Sequence, residues 1–185
     1  MESIIIRKAE PSDMEGAIAL IGNQILSSPL FLQPARNAFL SLGTDGEAVL
    51  AVCDEKIVGA AIARKGLHYS NGKDNYFEQM KKDYPASEFW TLLDVAVDND
   101  YQGRHIGSRL FRKMFEVLRS HGCGTVLMEI WIRANGYKPA SNLIHLADSF
   151  HEYGVIDDFY QDDPFPCDFC KGECHCKALV GIAEI

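Results

Sequence analysis

Positive charge is scarce in this chain. Its 185 residues carry 18 Lys and Arg against 26 Asp and Glu, a formal net charge of −8. A surface built to grip nucleic acid needs the opposite balance, so no nucleic-acid partner is expected. No apolar run approaches the ~18 residues that a membrane span requires. The start, Met1-Glu2-Ser3-Ile4, has no basic stretch leading into an apolar one. Neither a membrane partner nor a signal peptide is expected, and a cytoplasmic location with reduced thiols follows. Internal repeats and low-complexity segments are missing too. What is present, 47% hydrophobic and 24% charged residues, is the balance of a folded globular protein. The length, residues 1–185, suits one domain with a substantial core and is rather short for two.

The most informative stretch lies between Leu92 and Trp131. Leu92-Leu93-Asp94-Val95-Ala96-Val97 reads as an apolar strand and runs into the turn Asp98-Asn99-Asp100-Tyr101. Gln102-Gly103-Arg104-His105-Ile106-Gly107 follows, basic and glycine-bearing. It opens a helix in which Ile106, Leu110, Met114 and Leu118 recur every four residues. The other face carries Arg109, Arg112, Lys113 and Arg119. A strand that feeds a small-residue loop at a helix N-terminus aims several unpaired N–H groups at one point. The helix dipole then favours an anion there, so the pattern predicts a site for a phosphorylated cofactor. Gly122-Cys123-Gly124 is the expected helix stop, with His121 placed near the dipole's negative end, and Thr125 to Ile132 is the next strand.

This order resembles the acetyl-CoA-binding motif of the GNAT superfamily of N-acetyltransferases, a Gln/Arg-x-x-Gly-x-Gly/Ala loop after the fourth strand. The match starts with Val97 and Gln102. Gly107 takes the second glycine position and His105 stands at the first. The resemblance spans roughly Ile4 to Val155. It implies an α/β (α+β) fold: a mixed, mostly antiparallel sheet that splits near strands four and five, with helices on its flanks. It implies that Gln102, Gly103, Arg104, His105, Ile106, Gly107 and Ser108 hold the pyrophosphate. Val95, Ala96 and Val97 would pair with the pantetheine arm like an added strand. The implied reaction is direct attack of a primary amine on the thioester of acetyl-CoA, with a main-chain N–H at or near Val97 drawing the carbonyl. At His105 the imidazole either points outward or donates to a phosphate oxygen, since a side chain there would otherwise crowd the loop.

Such a reaction needs a neutral amine, a stabilised oxyanion and a proton for the departing thiolate. Glu88 just before the strand, Asp94 within it, and Glu129 on the next strand are the candidate bases, each with a solvated or structural role as the alternative. A bulge would change the face that Asp94 occupies. Relatives often end their fourth helix with Tyr-x-x-x-Gly-Phe, whose tyrosine protonates the thiolate. Alignment on Gly154-Val155 puts Phe150 there, leaving nearby Tyr153, or solvent, as the proton source.

Along the rest of the chain, Ile4-Ile5-Ile6 reads as a strand. Ser12-x-x-Glu15 after Pro11 is a capping-box signature for a helix to about Leu26. A second helix is expected over Ala35 to Leu42. Glu47 to Cys53 and Lys56 to Arg64 read as a hairpin turning at Asp54-Glu55. An insertion at about 66–88 carries the turn signal Ser70-Asn71-Gly72 and a short helix within Asn75 to Tyr84. It is either a solvated loop or a flap bringing Tyr69, Tyr76 and Phe77 over the acceptor. Pro139, Leu143, Leu146, Ala147 and Phe150 give a helical pattern that stops at Gly154, and Lys177 to Ile182 is the last strand.

Four of the six cysteines crowd into 167–176 as Cys167-x2-Cys170 and Cys174-x-Cys176. A first pair forming a knuckle and a second pair on one strand face would offer a tetrahedral sulfur set for zinc, with an iron–sulfur cluster, disulfides or free thiols as alternatives. Four sulfurs leave no open coordination position, so the expected metal is structural. Cys53 and Cys123 are expected to be free thiols. The carboxylates Asp157, Asp158, Asp162 and Asp163 point to a cationic acceptor or simply to a solvated loop. The expected partners are acetyl-CoA and an amine, with the chain a monomer or homodimer. Two other readings remain: an acyl-CoA-binding module without turnover, and a metal- or redox-responsive regulator.

Overall fold

The computed structural model describes residues 3–25, 28–69, 76–136, 141–162, 166–167 and 169–185. Leu26, the Ser70-Asn71-Gly72 turn, Pro139 and Asp163 lie outside the described residues. The described elements are β1 (Ile4–Lys8), α1 (Met14–Gln24), α2 (Pro29–Leu40), β2 (Gly46–Cys53), β3 (Lys56–Lys65), α3 (Phe77–Asp83), β4 (Phe89–Val97), α4 (Ile106–Ser120), β5 (Thr125–Ile132), β6 (Ser149–Ile156) and β7 (Lys177–Glu184). No described helix is long and apolar enough to cross a membrane.

The strands form one sheet in the order β1-β2-β3-β4-β5-β7-β6. Every neighbouring pair is antiparallel except β4 and β5, which are parallel. β2 and β3 are buried almost throughout, as central strands covered on both faces must be. They turn at Asp54 and Glu55, both with positive φ (45° and 66°), the backbone that a two-residue type I′ hairpin demands.

On one face of the sheet α4 buries Ile106, Leu110, Phe111, Met114, Phe115, Val117 and Leu118. The opposite face divides into two cores. Under β2–β4 lie α1 and α2, through Ile18, Ile21, Ala35, Ala38 and Phe39. Under β5 and β7 lie Phe159, Tyr160, Tyr69, Met80 of α3 and the cysteines. α2 begins before the expected Ala35 and continues through Pro34. Packing of Ala35, Ala38 and Phe39 outweighs the bond lost at the proline.

Two expectations are corrected. Asp13, not Ser12, organises the entry to α1: its carboxylate accepts from the Glu10 amide at 2.8 Å and pairs with Arg7 at 2.7 Å. Glu15 instead faces Arg36 on α2 at 2.6 Å. The helix expected from Pro139 to Gly154 is, where described, a short 3-10 turn at Ser141–Leu146 and then strand β6. Pairing with β7 decides this, because Phe150 packs against Gly181, where any Cβ would collide with its ring and with the His151 carbonyl.

Candidate active site

β4 and β5 pair only from Phe89–Thr125 to Leu92–Met128. Beyond that point β4 follows β3 while β5 follows β7, and a wedge-shaped gap opens between them. The Asp98 amide donates to the Val58 carbonyl at 2.9 Å. Residues of an antiparallel ladder alternate between edges, so the main-chain groups of Val95 and Val97 face the gap. Gln102 ties the loop to this strand end, its side-chain amide donating to the Val97 carbonyl at 3.1 Å and to Asn99 Oδ1 at 2.9 Å.

The loop closes on the start of α4 through two left-handed residues, Gly103 (φ 74°) and His105 (φ 57°). This is why glycine suits the position of His105: an L-residue there costs ~1–2 kcal/mol. The His105 side chain is exposed, and the residue caps the helix without a side-chain hydrogen bond. The first helical bond runs from the Arg109 amide to the His105 carbonyl at 3.2 Å. The amides of Ile106, Gly107 and Ser108 therefore precede any intrahelical acceptor. A Cβ on Gly107 would meet nothing within 4 Å, so the helix mouth is open. Arg104 lies 4.9 Å from the Tyr101 ring, and Arg109 donates to the Ile4 carbonyl at 2.9 Å. These two keep positive charge beside the loop, whereas Lys113 and Arg119 pair with Glu116 and Asp148 further along.

On the other side of the gap lie carboxyl groups. β4 carries an extra residue at Leu93, since Ala63 faces Leu92 and Ile62 faces Asp94. Past this bulge Val95 and Val97 turn toward α4 and Ala96 toward α1 and α2. Asp94, alternating with Val95, turns the same way as Ala96. Glu129 sits between Leu127 and Trp131, both of which pack into the core of that same face. Asp94 is 5% exposed, and burial pushes its carboxyl up to about 7. Such a group is poised to take a proton at neutral pH. Tyr160 is buried beside them. Burial raises its hydroxyl well above the usual range, and Glu129, Cys174, Cys176 and Asp94 push it further in the same direction.

The remaining candidates lie elsewhere. Glu88 is exposed in an ion pair with Lys65 at 3.1 Å, at the end of β4 where the strands are still paired. Tyr153 sits at a bulge in β6 between Glu152 and Gly154, not on a helix, and its hydroxyl donates to Asp83 of α3 at 2.8 Å. Burial and that carboxylate push its hydroxyl well above the usual tyrosine range, so its proton is held. α3 is fastened over this face by aromatic contacts. Tyr69 stacks on Phe77 at 4.4 Å and meets Phe159 edge-on, while Tyr76 lies 6.1 Å from Tyr153.

Comparison with known proteins agrees with this geometry. The model of the acetyltransferase (GNAT) family matches residues 24–147. This chain belongs to the GNAT acetyltransferase family. No curated protein matches it by sequence. Among solved structures, a GNAT-family putative acetyltransferase from Desulfovibrio desulfuricans is similar at TM-score 0.67 and 17% identity, over 98% of this chain and 99% of that one. The ribosomal-protein-S18-alanine N-acetyltransferase of Escherichia coli gives 0.65 at 17%, over 99% and 94%. Arabidopsis thaliana NAA60, solved in complex with acetyl-CoA, gives 0.65 at 20%, over 99% and 99%. At these identities the likeness is one of fold.

In this GNAT acetyltransferase the cysteines form a second centre. The sulfurs of Cys167, Cys170, Cys174 and Cys176 all lie within 4.8 Å of one another. Cys176 Sγ is 3.7 Å from that of Cys170 and 4.0 Å from that of Cys167. The Cys174 thiol is raised chiefly by burial. Burial would raise the Cys167 thiol, but the main-chain N–H groups of Cys170 and Phe169 together with the side chains of Cys170 and Cys174 bring it below the ordinary range. Cys53 and Cys123 are buried free thiols away from this group. The sequence signalled the cysteines by spacing. It gave no sign of Tyr160, which reaches the gap only through the tertiary path of the chain after β6.

Proposed function

We propose that this acetyltransferase moves an acetyl group from acetyl-CoA to a primary amine by direct attack. One observation carries the proposal: the edge of β4 that turns away from β3 at Val95 and Val97 leads straight to the uncapped N-terminus of α4. The pantetheine arm would pair with Val95–Val97 as an added strand, and Gln102 to Ser108 would enclose the pyrophosphate. A main-chain N–H of Val95 or Val97 would stabilise the oxyanion as the amine nitrogen bonds to the thioester carbon. The C–S bond then breaks, Asp94 takes the proton from the amine nitrogen, and solvent protonates the departing thiolate. Two carboxyls at the gap, Asp94 and Glu129, favour a cationic acceptor. Glu88 takes no part in this scheme.

The four cysteines hold a structural zinc in this reading. With four thiolate ligands it has no open position, so it stands apart from the transfer. Reduced thiols of this kind fit a cytoplasmic protein.

Gly107→Trp fills the open helix mouth without touching the core. Calorimetry should show acetyl-CoA binding abolished while circular dichroism stays native; retained affinity would remove the loop from the cofactor site.

A further inference from the structure

The four-sulfur centre touches the transfer gap through one short stretch of chain. A zinc ion with Zn–S bonds of about 2.3 Å sets tetrahedral sulfur edges of about 3.8 Å, and the two shortest separations are 3.7 and 4.0 Å. These sulfurs are not at bonding distance for a disulfide. They are also gathered around one point, whereas an iron–sulfur cluster spreads its thiolates over several irons.

Each sulfur is also met by at least one N–H. Cys167 faces the main-chain N–H groups of Phe169 and Cys170. Cys170 accepts from the His175 amide at 3.3 Å. Cys174 faces the amide of Cys176, and Cys176 faces the Ala134 amide. N–H groups aimed at sulfur stabilise thiolate and orient it toward a cation, as outer-shell donors do in metal sites. Four thiolates this close together without a cation would repel one another.

The same residues reach the gap. The Cys176 carbonyl accepts from the Phe159 amide at 3.1 Å. Phe159 packs edge-on against Tyr160 at 4.9 Å, and Tyr160 against Trp131 at 6.2 Å. Phe169, inside the first cysteine loop, meets Trp131 edge-on at 5.0 Å. Cys176 and Trp131, both at the sulfur centre, thus hold Phe159 and Tyr160 beside Asp94 and Glu129.

We infer that one zinc ion at Cys167, Cys170, Cys174 and Cys176 positions the Phe159–Tyr160 turn as the floor of the acceptor pocket. The ion sets affinity for the amine and leaves the acetyl-CoA half alone. The metal assignment stands on the sulfur geometry, whereas the pocket assignment rests on the transferase reading above.

The test uses the full-length protein as purified. Elemental analysis should give one zinc per chain, and cobalt(II) exchanged into the site should show thiolate-to-metal charge-transfer and tetrahedral d–d absorption. Stripping the ion with a chelator, or Cys170→Ser, should speed hydrogen exchange in residues 157–161 at least tenfold while residues 102–110 stay protected. With any amine that releases thiol, its KM should rise about tenfold while the KM for acetyl-CoA holds. Absence of zinc with no cobalt spectrum, or two disulfides by mass, overturns the metal. A bound metal whose removal leaves residues 157–161 protected, or loosens residues 102–110 equally, overturns the positioning role. Intact metal with no acetyl-CoA binding would instead sink the transferase reading and leave the metal centre standing.

Discussion

Asp94 is a carboxyl group held where water barely reaches, and that placement gives it two opposed pH signatures. Its folded value of about 7 lies well above the ~3.9 of an unfolded aspartate. Below about pH 4 both states keep the proton. As pH rises toward 7 the unfolded chain ionises first, so the folded state holds more protons and stability falls. The loss is complete above the folded value. Asp94→Asn has no such titration: at pH 8 it should be more stable than the parent by on the order of 2–4 kcal/mol, the gap closing near pH 4. Denaturant melts at the two pH values check this. Catalysis runs the other way, since the base must be ionised. Parent kcat/KM should rise with pH through about 7, and Asp94→Asn should lose at least ~100-fold at unchanged acetyl-CoA affinity. An active Asn variant would pass the base role to Glu129 or to water. Asp94 was legible as a candidate, but its orientation was not. The extra residue at Leu93 that turns it is a property of the pairing with β3, which no local pattern records. His105 is similar: the sequence shows an unusual residue for its place, whereas the left-handed backbone that explains the place emerges only in the fold.

Among the elements, β6 is the one whose type was misread. Leu143, Leu146, Ala147 and Phe150 keep helical spacing, yet Ser149–Ile156 pairs along β7. The deciding residue is remote in sequence, since Gly181 on β7 makes the hollow that Phe150 fills. Gly181→Ala should therefore push the Phe150 ring and the β6 backbone away, costing about 1–3 kcal/mol in equilibrium unfolding. A neutral or stabilising alanine would mean that β6 does not lie there. By contrast, β2, β3, α4 and β5 were legible nearly to the residue. Their signals are local: Asp54-Glu55 between apolar runs, and four-residue spacing from Ile106 to Leu118. The proposed cofactor loop lies among them, because strand, loop and helix follow one another in the chain. The proposed acceptor side does not, as it draws on β4, β5, the turn at Phe159–Tyr160 and the segment of α3.

At the scale of the whole molecule, the gap between β4 and β5 separates two cores on the face opposite α4, while the core under α4 runs across both sides. In the proposed reading the cofactor would lie against β4 and α4, whereas the sulfur centre packs with β5, β7 and the chain before β7. Ligands bound at these separate sites should stabilise the fold additively. Acetyl-CoA at a hundred times its Kd contributes about 2.7 kcal/mol, which for a chain of this size raises the unfolding midpoint by roughly 5–11 °C. Thermal melts should show the same increment with zinc present or stripped, although stripping lowers the starting midpoint. A regulator responsive to metal or redox state predicts the reverse, because the metal could then act only by changing cofactor affinity, and reciprocal coupling would shrink or enlarge the acetyl-CoA increment. Equal increments therefore assign the cysteines to architecture on the acceptor side; unequal ones assign them to control of the cofactor.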